Sequence, residues 1–131
     1  MFSYDAHLTG ALNELRVQAY YTKCGWDVFT PIHNKTRADF IAVKGEIINR
    51  IQVKTAQYNN GYIQSRLSVN GNLYHKDECD VIAFVLDEKL WIAPITEVEG
   101  YTSINLGKIN REDYIPRKEY NPDEWRKMDF N

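Results

Sequence analysis

The sequence predicts an α/β fold in which a mixed central β-sheet is flanked by helices. Apolar residues between Leu8 and Cys24 recur at intervals of three and four residues, a pattern typical of a helix. Two strand-like segments separated by a short turn occupy residues 38–55 and predict a hairpin. The unbroken apolar run Val81–Leu86 indicates a strand that is buried on both faces.

Length and composition predict a single globular domain over residues 1–131. An apolar content of 44% is too high for a disordered chain. No apolar run approaches the roughly 20 residues of a membrane-spanning helix, and the N-terminus lacks the basic and apolar regions of a signal peptide. We therefore expect a cytoplasmic protein that does not associate with membranes, with Cys24 and Cys79 as reduced thiols.

The first predicted helix runs from Leu8 to Cys24, and the following Gly25 is the kind of residue that ends helices. A continuous stripe on this helix predicts its packing face and consists of Leu8, Leu12, Leu15, Ala19 and Thr22. Glu14 lies beside this stripe and can reach the edge of the surface on which the helix packs. The alternative is an exposed glutamate that pairs with a polar neighbour on the same helix.

Three strands are predicted next, at residues 26–31, 38–43 and 47–55. Because side chains alternate along a strand, Gln52 and Lys54 emerge on the same face of the third of these strands. Asp39 opens the second strand, which is its hairpin partner. A face that carries glutamine and lysine is not a core face, so we expect it to border a cleft or solvent.

Residues 56–76 are predicted to form an insert that protrudes as a hairpin or a pair of loops. The dipeptides Asn60-Gly61 and Asn70-Gly71 are turn signals, and residues 62–68 between them alternate like a strand. The tyrosine, amide and arginine side chains of this segment suit contacts to phosphates and base edges. An ordinary polar loop is the alternative.

The rest of the chain is predicted to complete the sheet and to end in a helix. Strands at 81–86 and 90–95 are followed by a short helical turn from Thr96 and a short strand at 101–106. Pro94 favours a position near the sheet edge for the second of these strands, because proline cannot donate to a strand ladder. Residues 121–125 indicate the capped start of a final short helix.

Charge is distributed unevenly along the chain, although its net charge is only −2. Residues 35–76 carry seven basic and two acidic side chains, which gives a formal charge of +5. This segment contains the predicted hairpin and is suited to a polyanion such as a nucleic acid. A solvated basic face without a partner is the alternative.

The polar residues of the hairpin are the parts of a site for phosphodiester hydrolysis. In such a site a divalent cation neutralises the phosphate and activates water, and Mg²⁺ prefers oxygen ligands. Asp39 can supply a carboxylate, and Gln52 can supply an amide oxygen beside the Val53 carbonyl. The Lys54 ammonium can hold the nucleophile or stabilise the transition state. Glu14 can reach the same metal through a water or help to hold a second one.

This set of residues resembles that of the PD-(D/E)XK nuclease superfamily, whose members share a restriction-endonuclease-like core. The resemblance lies in Glu14, Asp39 and the Gln52-Val53-Lys54 segment, and it covers residues 8–95. It implies that Glu14, Asp39, Gln52 and Lys54 are catalytic. It also implies metal binding by Asp39, Glu14, Gln52 and the Val53 carbonyl. The implied cofactor is Mg²⁺, for which Mn²⁺ can substitute.

The sequence departs from the superfamily pattern at two positions. Ala38 stands where proline usually precedes the aspartate, a change that is common in the superfamily. Gln52 replaces the acidic residue of the (D/E)XK motif. The second departure removes one negative charge, so metal affinity should be lower or depend more on Glu14.

Within the superfamily, residues 10–20 and 51–56 look like those of small bacterial and phage nucleases, in particular the homing endonucleases encoded in group I introns. This similarity implies a sequence-specific endonuclease that cuts double-stranded DNA. It would work as a homodimer or tetramer, because one site per chain cannot cut both strands at once. The alternatives are a Holliday-junction resolvase and a DNA-binding module with a decayed site. The residues expected to contact DNA are Lys35, Arg37, Tyr58, Asn60, Tyr62, Gln64, Arg66, Asn70 and Lys76.

Overall fold

The computed structural model describes residues 3–33, 36–67, 73–74, 76–108 and 126–129, with backbone alone at 3–5, 108 and 126–129. In chain order the elements are α1 (Ser3–Lys23), β1 (Asp27–Phe29), β2 (Phe40–Lys44), β3 (Ile47–Thr55), β4 (Gln57–Asn59), β5 (Tyr62–Arg66), β6 (Val81–Leu86), β7 (Lys89–Pro94), α2 (Ile95–Val98), β8 (Ser103–Lys108) and β9 (Arg126–Asp129). The bounds predicted for β3 and β6 agree with the structure.

The central sheet has six strands in the order β1-β2-β3-β6-β7-β9. β3 and β6 run parallel, whereas the other neighbouring strands pair antiparallel. The two hairpins β2–β3 and β6–β7 therefore meet through their parallel inner strands. α1 packs on one face of this sheet. The predicted α/β class with a mixed central sheet is confirmed.

The face that α1 turns toward the sheet differs from the predicted one. Val17 and Tyr21 are buried among side chains of β2 and β3. The Tyr21 ring meets the rings of Trp26 and Phe40 edge-on, each at 5.6 Å between centroids. The predicted stripe lies on the opposite side, where Leu8, Leu12 and Leu15 are 49%, 51% and 60% exposed.

The helix rotates in this way because its other face offers a larger aromatic contact and a polar anchor. Asn13 is 5% exposed and its Nδ2 donates a hydrogen bond to Thr55 Oγ1 at 3.0 Å. A buried amide without such a partner would cost about 1–3 kcal/mol, so the Asn13–Thr55 hydrogen bond favours this orientation of the helix. The leucine periodicity is real, but it marks the solvent face.

A second sheet forms from the segment predicted as an insert. β4 and β5 pair antiparallel, and β8 joins on the other side of β5. Asn60 and Gly61 have φ angles of 52° and 82°, which suit the tight turn predicted from their Asn-Gly sequence. Alternate residues of the sheet, including Ile63 and Ile104, are buried against the central sheet. The opposite face of the second sheet is polar.

The start of the parallel β3–β6 pair is fixed by an arginine–aspartate contact. The Arg50 backbone N–H and its Nε donate to Asp80 Oδ2 at 2.7 and 3.0 Å. The Arg50 guanidinium also donates to the carbonyls of Asp77 and Lys76 at 2.6 and 2.9 Å. These hydrogen bonds lower the pKa of the Asp80 carboxyl. They hold the loop before β6 against β3.

The residues that follow the predicted start of the final helix form a strand. Residues 121–125 lie outside the described residues, and Arg126–Asp129 form β9, which pairs antiparallel with β7. β7 is therefore covered on both sides, one position in from the sheet edge. Pro94 fits there because it is the last residue of the strand and pairs with Val81 rather than with β9.

Cys24 and Cys79 are both free thiols, the first half-buried and the second fully buried. Burial raises the pKa of the Cys79 thiol to about 11. Neither of the described helices combines the length and the continuous apolar character that a membrane span requires.

Candidate active site

Asp39 is fixed at the start of β2 by two backbone contacts to β3. Its N–H donates to the Ile51 carbonyl at 2.8 Å. Its carboxylate Oδ2 accepts a hydrogen bond from the Val53 N–H at 2.8 Å. The carboxylate is therefore held beside β3 at the residue between Gln52 and Lys54.

Glu14 reaches the same place from α1. The preceding residue, Asn13, ties the helix to Thr55 at the end of β3, so Glu14 is held at the helix edge that faces Asp39. Both carboxylates line one open cleft of about 340 Å³. The other residues that line this cleft are Gln18, Thr30, Pro31, Ile32, His33, Thr36 and Ala38.

The two carboxylates lie in a setting that favours their protonated forms. Burial raises the pKa of Asp39 above its ordinary value, although the Val53 hydrogen bond and the Lys54 charge act in the opposite direction. Burial also raises the pKa of Glu14, and the negative charge of Asp39 raises it further. A cation bound between two such groups would relieve both the burial penalty and their repulsion.

Gln52 and Lys54 follow on the face predicted for them. Both are half-exposed, whereas Ile51 and Val53 on the opposite face are buried beneath α1. The Gln52 Nε2 donates to the Val53 carbonyl at 3.3 Å. Among the described residues, the lining of the cleft shared by Glu14 and Asp39 includes neither Gln52 nor Lys54. The Lys54 ammonium lies near enough to Asp39 to lower the pKa of that carboxyl.

The donor set fits a hard divalent cation. Within the described residues no group of three or more histidine, cysteine, aspartate or glutamate side chains is arranged to hold a metal ion. Mg²⁺ needs fewer protein ligands, typically one or two carboxylates together with water and substrate oxygens. Glu14 and Asp39 supply two carboxylates, and Gln52 with the Val53 carbonyl supplies neutral oxygens.

Comparison with known proteins identifies the family. The family model for PD-(D/E)XK endonucleases matches residues 4–126. The chain belongs to the PD-(D/E)XK endonuclease family. It is therefore a nuclease, and a nuclease of this family binds DNA and uses divalent metal ions.

Two known proteins are similar to this PD-(D/E)XK endonuclease, one in sequence and one in fold. Protein 5.3 of Escherichia phage T7 is 38% identical over 112 residues, which are 82% of this chain and 95% of the phage protein. The bacterial homing endonuclease I-Ssp6803I superposes with a TM-score of 0.68 and 18% identity, covering 85% of this chain and 81% of its own. This structural likeness confirms the predicted restriction-endonuclease-like fold.

The endonuclease presents only part of the expected DNA-binding residues on one surface. Tyr62, Gln64 and Arg66 lie on the solvent side of β5, while the intervening Ile63 and Ser65 are buried. Strand register adds three amides to this surface. We call it the outward face, and it consists of Gln57, Asn59, Tyr62, Gln64, Arg66 and Asn105. Lys35 and Asn70 lie outside the described residues.

The remaining residues expected to contact DNA lie elsewhere. Tyr58 is on the other side of β4, and its hydroxyl donates to Asp87 Oδ2 at 3.3 Å. Asn60 is in the turn between β4 and β5. Arg37 precedes β2, and its Nη1 donates to the Leu73 carbonyl at 2.9 Å. Lys76 is exposed before β6, and its N–H donates to Glu99 Oε2 at 2.6 Å.

Three features of this endonuclease site were missed by the sequence reasoning. Asn13 anchors the helix that carries Glu14, and Asn59 and Gln57 extend the outward face. Tyr74 lies under the Lys54 ammonium, with 5.0 Å from Nζ to the ring centroid. The sequence shows Asn13 as a polar residue next to Glu14. Strand alternation places Gln57 and Asn59 on one face of β4. Nothing local to Tyr74 indicates its contact with a residue 20 positions earlier.

Proposed function

We propose that this nuclease is a Mg²⁺-dependent endonuclease that cuts double-stranded DNA at specific sequences, as a homing endonuclease does. The observation that carries the proposal is the shared cleft of Glu14 and Asp39, in which burial raises the pKa of both carboxyls. Two ionised carboxylates repel each other when no cation lies between them, and together they attract a divalent cation. The Lys54 charge beside it completes a site suited to a phosphodiester.

Each residue has a distinct role in the proposed reaction. Asp39 and Glu14 would hold Mg²⁺, with the Gln52 amide oxygen and the Val53 carbonyl as neutral ligands. When bound, the cation would neutralise the scissile phosphate and acidify the attacking water. Lys54 would donate a hydrogen bond to that water or to a non-bridging phosphate oxygen as charge develops there.

The Val53 peptide serves both sides of the proposed site. Its N–H donates to Asp39 Oδ2, which leaves the second carboxylate oxygen as the one that would bind a cation. Its carbonyl accepts a hydrogen bond from Gln52 at 3.3 Å and has a second lone pair for a ligand. One rigid peptide of β3 therefore sets the positions of three of the proposed metal ligands.

The outward face supports sequence-specific recognition. Gln57, Asn59, Gln64 and Asn105 project four amides from three adjacent strands, and the Asn59 Nδ2 donates to Gln64 Oε1 at 2.9 Å. Glutamine and asparagine bind adenine through its N6 and N7 edge, and a β-ribbon fits the major groove. We propose that this face reads adenine-containing base pairs, with Arg66, Lys76 and Lys35 at the phosphates.

The proposed reaction requires more than one copy of the chain. Each chain holds a single set of Glu14, Asp39, Gln52 and Lys54, whereas a double-strand break needs two cleavage events. We therefore propose a homo-oligomer, a dimer or a tetramer. The similarity of fold to a bacterial homing endonuclease supports the homing role.

A cleavage assay with sequenced ends tests the proposal. The purified chain, with Lys54→Ala as the inactive control, is incubated with a random-sequence duplex library and with a four-way junction, in Mg²⁺, Mn²⁺ or Ca²⁺. Double-strand ends that recur at one sequence in Mg²⁺ are the expected result. Nicking of the junction without sequence preference would identify a resolvase instead. Tight metal-independent binding without cleavage would identify a DNA-binding module.

The oligomeric state has its own measurement. Sedimentation equilibrium of the chain, with and without a cleavable duplex in Ca²⁺, should give a mass of two or four chains. A monomer that nonetheless makes double-strand breaks under single-turnover conditions would contradict the oligomer.

A further inference from the structure

The Tyr74 ring is contacted by two cationic side chains of the site region. The Lys54 Nζ lies 5.0 Å from the ring centroid. The Arg37 Cζ lies 3.7 Å from the same centroid. Tyr74 itself is 4% exposed, so the ring is a fixed part of the core rather than a mobile surface group.

The Lys54 ammonium has few other partners to orient it. Within the part of the chain that the structure describes, it forms neither a hydrogen bond nor an ion pair. A lysine has a long flexible side chain, so an unanchored ammonium would sample many positions. A ring within 6 Å attracts the cation through its quadrupole and limits that freedom.

An aromatic partner, unlike a carboxylate, leaves the charge and the N–H donors of an ammonium available for other partners. An ion pair with aspartate or glutamate would neutralise the ammonium and occupy one or more of its three N–H groups. A ring face attracts the charge without accepting a strong hydrogen bond from each donor. Lys54 is therefore held while its charge and donors stay available for a phosphate or a water.

The ring is held in turn by contacts on its own segment. Arg37 Nη1 donates to the carbonyl of the neighbouring Leu73 at 2.9 Å, and it pairs with Glu78 Oε1 at 3.4 Å. The guanidinium thus spans the chain on both sides of Tyr74. The Arg50–Asp80 contact fixes the following loop to β3, the strand that carries Lys54. The positions of Tyr74 and Lys54 are consequently both fixed relative to β3.

We propose that Tyr74 is a positioning residue that holds the Lys54 ammonium near Asp39 through a cation–π contact. The catalytic consequence rests on the proposed nuclease function, whereas the contact itself does not. Tyr74 was not among the residues that the motif indicates, and its role depends on the ring rather than on the hydroxyl. Tyr74→Phe should therefore preserve what Tyr74→Leu removes.

The first test measures the contact without DNA. The ε-methylene signals of Lys54, assigned by their loss in Lys54→Ala, should be shifted upfield by the ring current of Tyr74. They should move toward the position of the other lysines in Tyr74→Leu and stay in Tyr74→Phe. Tyr21→Leu is the matched control, because Tyr21 is also 4% exposed but packs against Trp26 and Phe40. It should lower stability without moving the Lys54 signals.

The second test measures the consequence for cleavage. Single-turnover cleavage should slow about 3- to 30-fold in Tyr74→Leu, the range set by a cation–π contact, and remain near wild type in Tyr74→Phe. DNA affinity in Ca²⁺ should be unchanged. If Tyr74→Leu does not fold, phenylalanine and its mono-, di- and trifluorinated derivatives at position 74 replace it. The logarithm of the rate should then fall as fluorine weakens the ring quadrupole.

The outcomes separate the two proposals. Lys54 signals that do not respond to Tyr74→Leu overturn the inference, whatever the activity. Cleavage that is equally fast in wild type, Tyr74→Leu and the trifluorinated variant also overturns it. Lys54 signals that respond in a chain that never cuts DNA support the contact and overturn the proposed function instead.

Discussion

The carboxylate of Asp39 and the backbone N–H of Val53 are joined by a hydrogen bond of 2.8 Å. This bond places a charged group next to the strand that carries Gln52 and Lys54. It lowers the pKa of the carboxyl, but burial raises that pKa by more. The folded chain therefore binds a proton at Asp39 more tightly than the unfolded chain does, and the carboxylate opposes folding at neutral pH.

Asp39→Asn should stabilise the metal-free protein at pH 8. Asparagine keeps an oxygen that accepts the Val53 hydrogen bond and removes the buried charge. Since the pKa of Asp39 is raised, the penalty is absent below its ordinary value of 3.8, grows as the pH rises from there to the folded-state pKa, and stays constant above it. Melting temperatures in EDTA should show a gain of a few degrees at pH 8 that shrinks on acidification. Asp27→Asn, on the exposed edge strand, should show no gain.

A divalent cation should reverse that order of stabilities. Mg²⁺ is expected to raise the melting temperature of the wild type, because it binds the folded state. Mg²⁺ should have little effect on the melting temperature of Asp39→Asn. If Asp39→Asn is less stable than the wild type in EDTA at pH 8, the buried charge of Asp39 does not oppose folding.

Gln52→Glu should strengthen metal binding at the expense of the metal-free fold. The change restores the acidic residue of the family motif and adds a third carboxylate near Asp39, next to the Val53 peptide. We expect half-maximal cleavage at a lower Mg²⁺ concentration and a lower melting temperature in EDTA. The melting temperature measured at increasing Ca²⁺ concentration compares metal binding between variants. Gln57→Glu is the control, because it adds the same charge on the exposed strand β4. Equal Ca²⁺ midpoints in the two variants would exclude Gln52 from the metal site.

Lys54→Ala should slow cleavage by orders of magnitude and leave DNA binding nearly intact. The ammonium is proposed to act on charge that develops in the transition state, and removal of such a donor typically costs about 10²- to 10³-fold in rate. Single-turnover rates in Mg²⁺ and affinities in Ca²⁺ measure the two effects separately. Lys89→Ala, at the exposed start of β7, is the matched control and should cut normally. Wild-type cleavage by Lys54→Ala would remove the lysine from the mechanism.

Gln64→Ala and Lys76→Ala should weaken DNA binding in different ways. Loss of an amide that reads a base relaxes the preference at one position, by about 1–3 kcal/mol of discrimination. Loss of a phosphate contact weakens binding to all sequences and reduces the salt dependence by about one unit of slope. Binding to a randomised duplex pool at several salt concentrations distinguishes them. A uniform loss in Gln64→Ala would place the sequence readout elsewhere.

Much of the geometry of the candidate site could be predicted from the sequence because three of its four residues lie on one hairpin. Asp39, Gln52 and Lys54 are separated by a single turn, so strand alternation and antiparallel pairing bring them together. The bounds of β3 and β6 were predictable for the same reason, since alternation and an unbroken apolar run are strong local signals.

The errors arise where distant residues decide the structure. The leucines of α1 have the regular spacing of a packing face, but Asn13 and Tyr21 find partners on the sheet and turn the leucines outward. Arg126–Asp129 become a strand through pairing with β7, which polar residues alone would not indicate. Tyr74 meets Lys54 only because the loop before β6 folds back onto β3.

The thiol of Cys79 makes the opening of this loop measurable. It is fully buried next to Asp80, and burial raises its pKa to about 11, so the native thiol is both shielded and protonated. Alkylating reagents attack the thiolate, which means that modification of Cys79 in native protein must pass through local unfolding. The half-buried Cys24 supplies an internal reference in the same molecule. The alkylation rate of Cys79, relative to that of Cys24, therefore reports local unfolding of this loop. A cation or duplex that stabilises the folded loop should lower that rate.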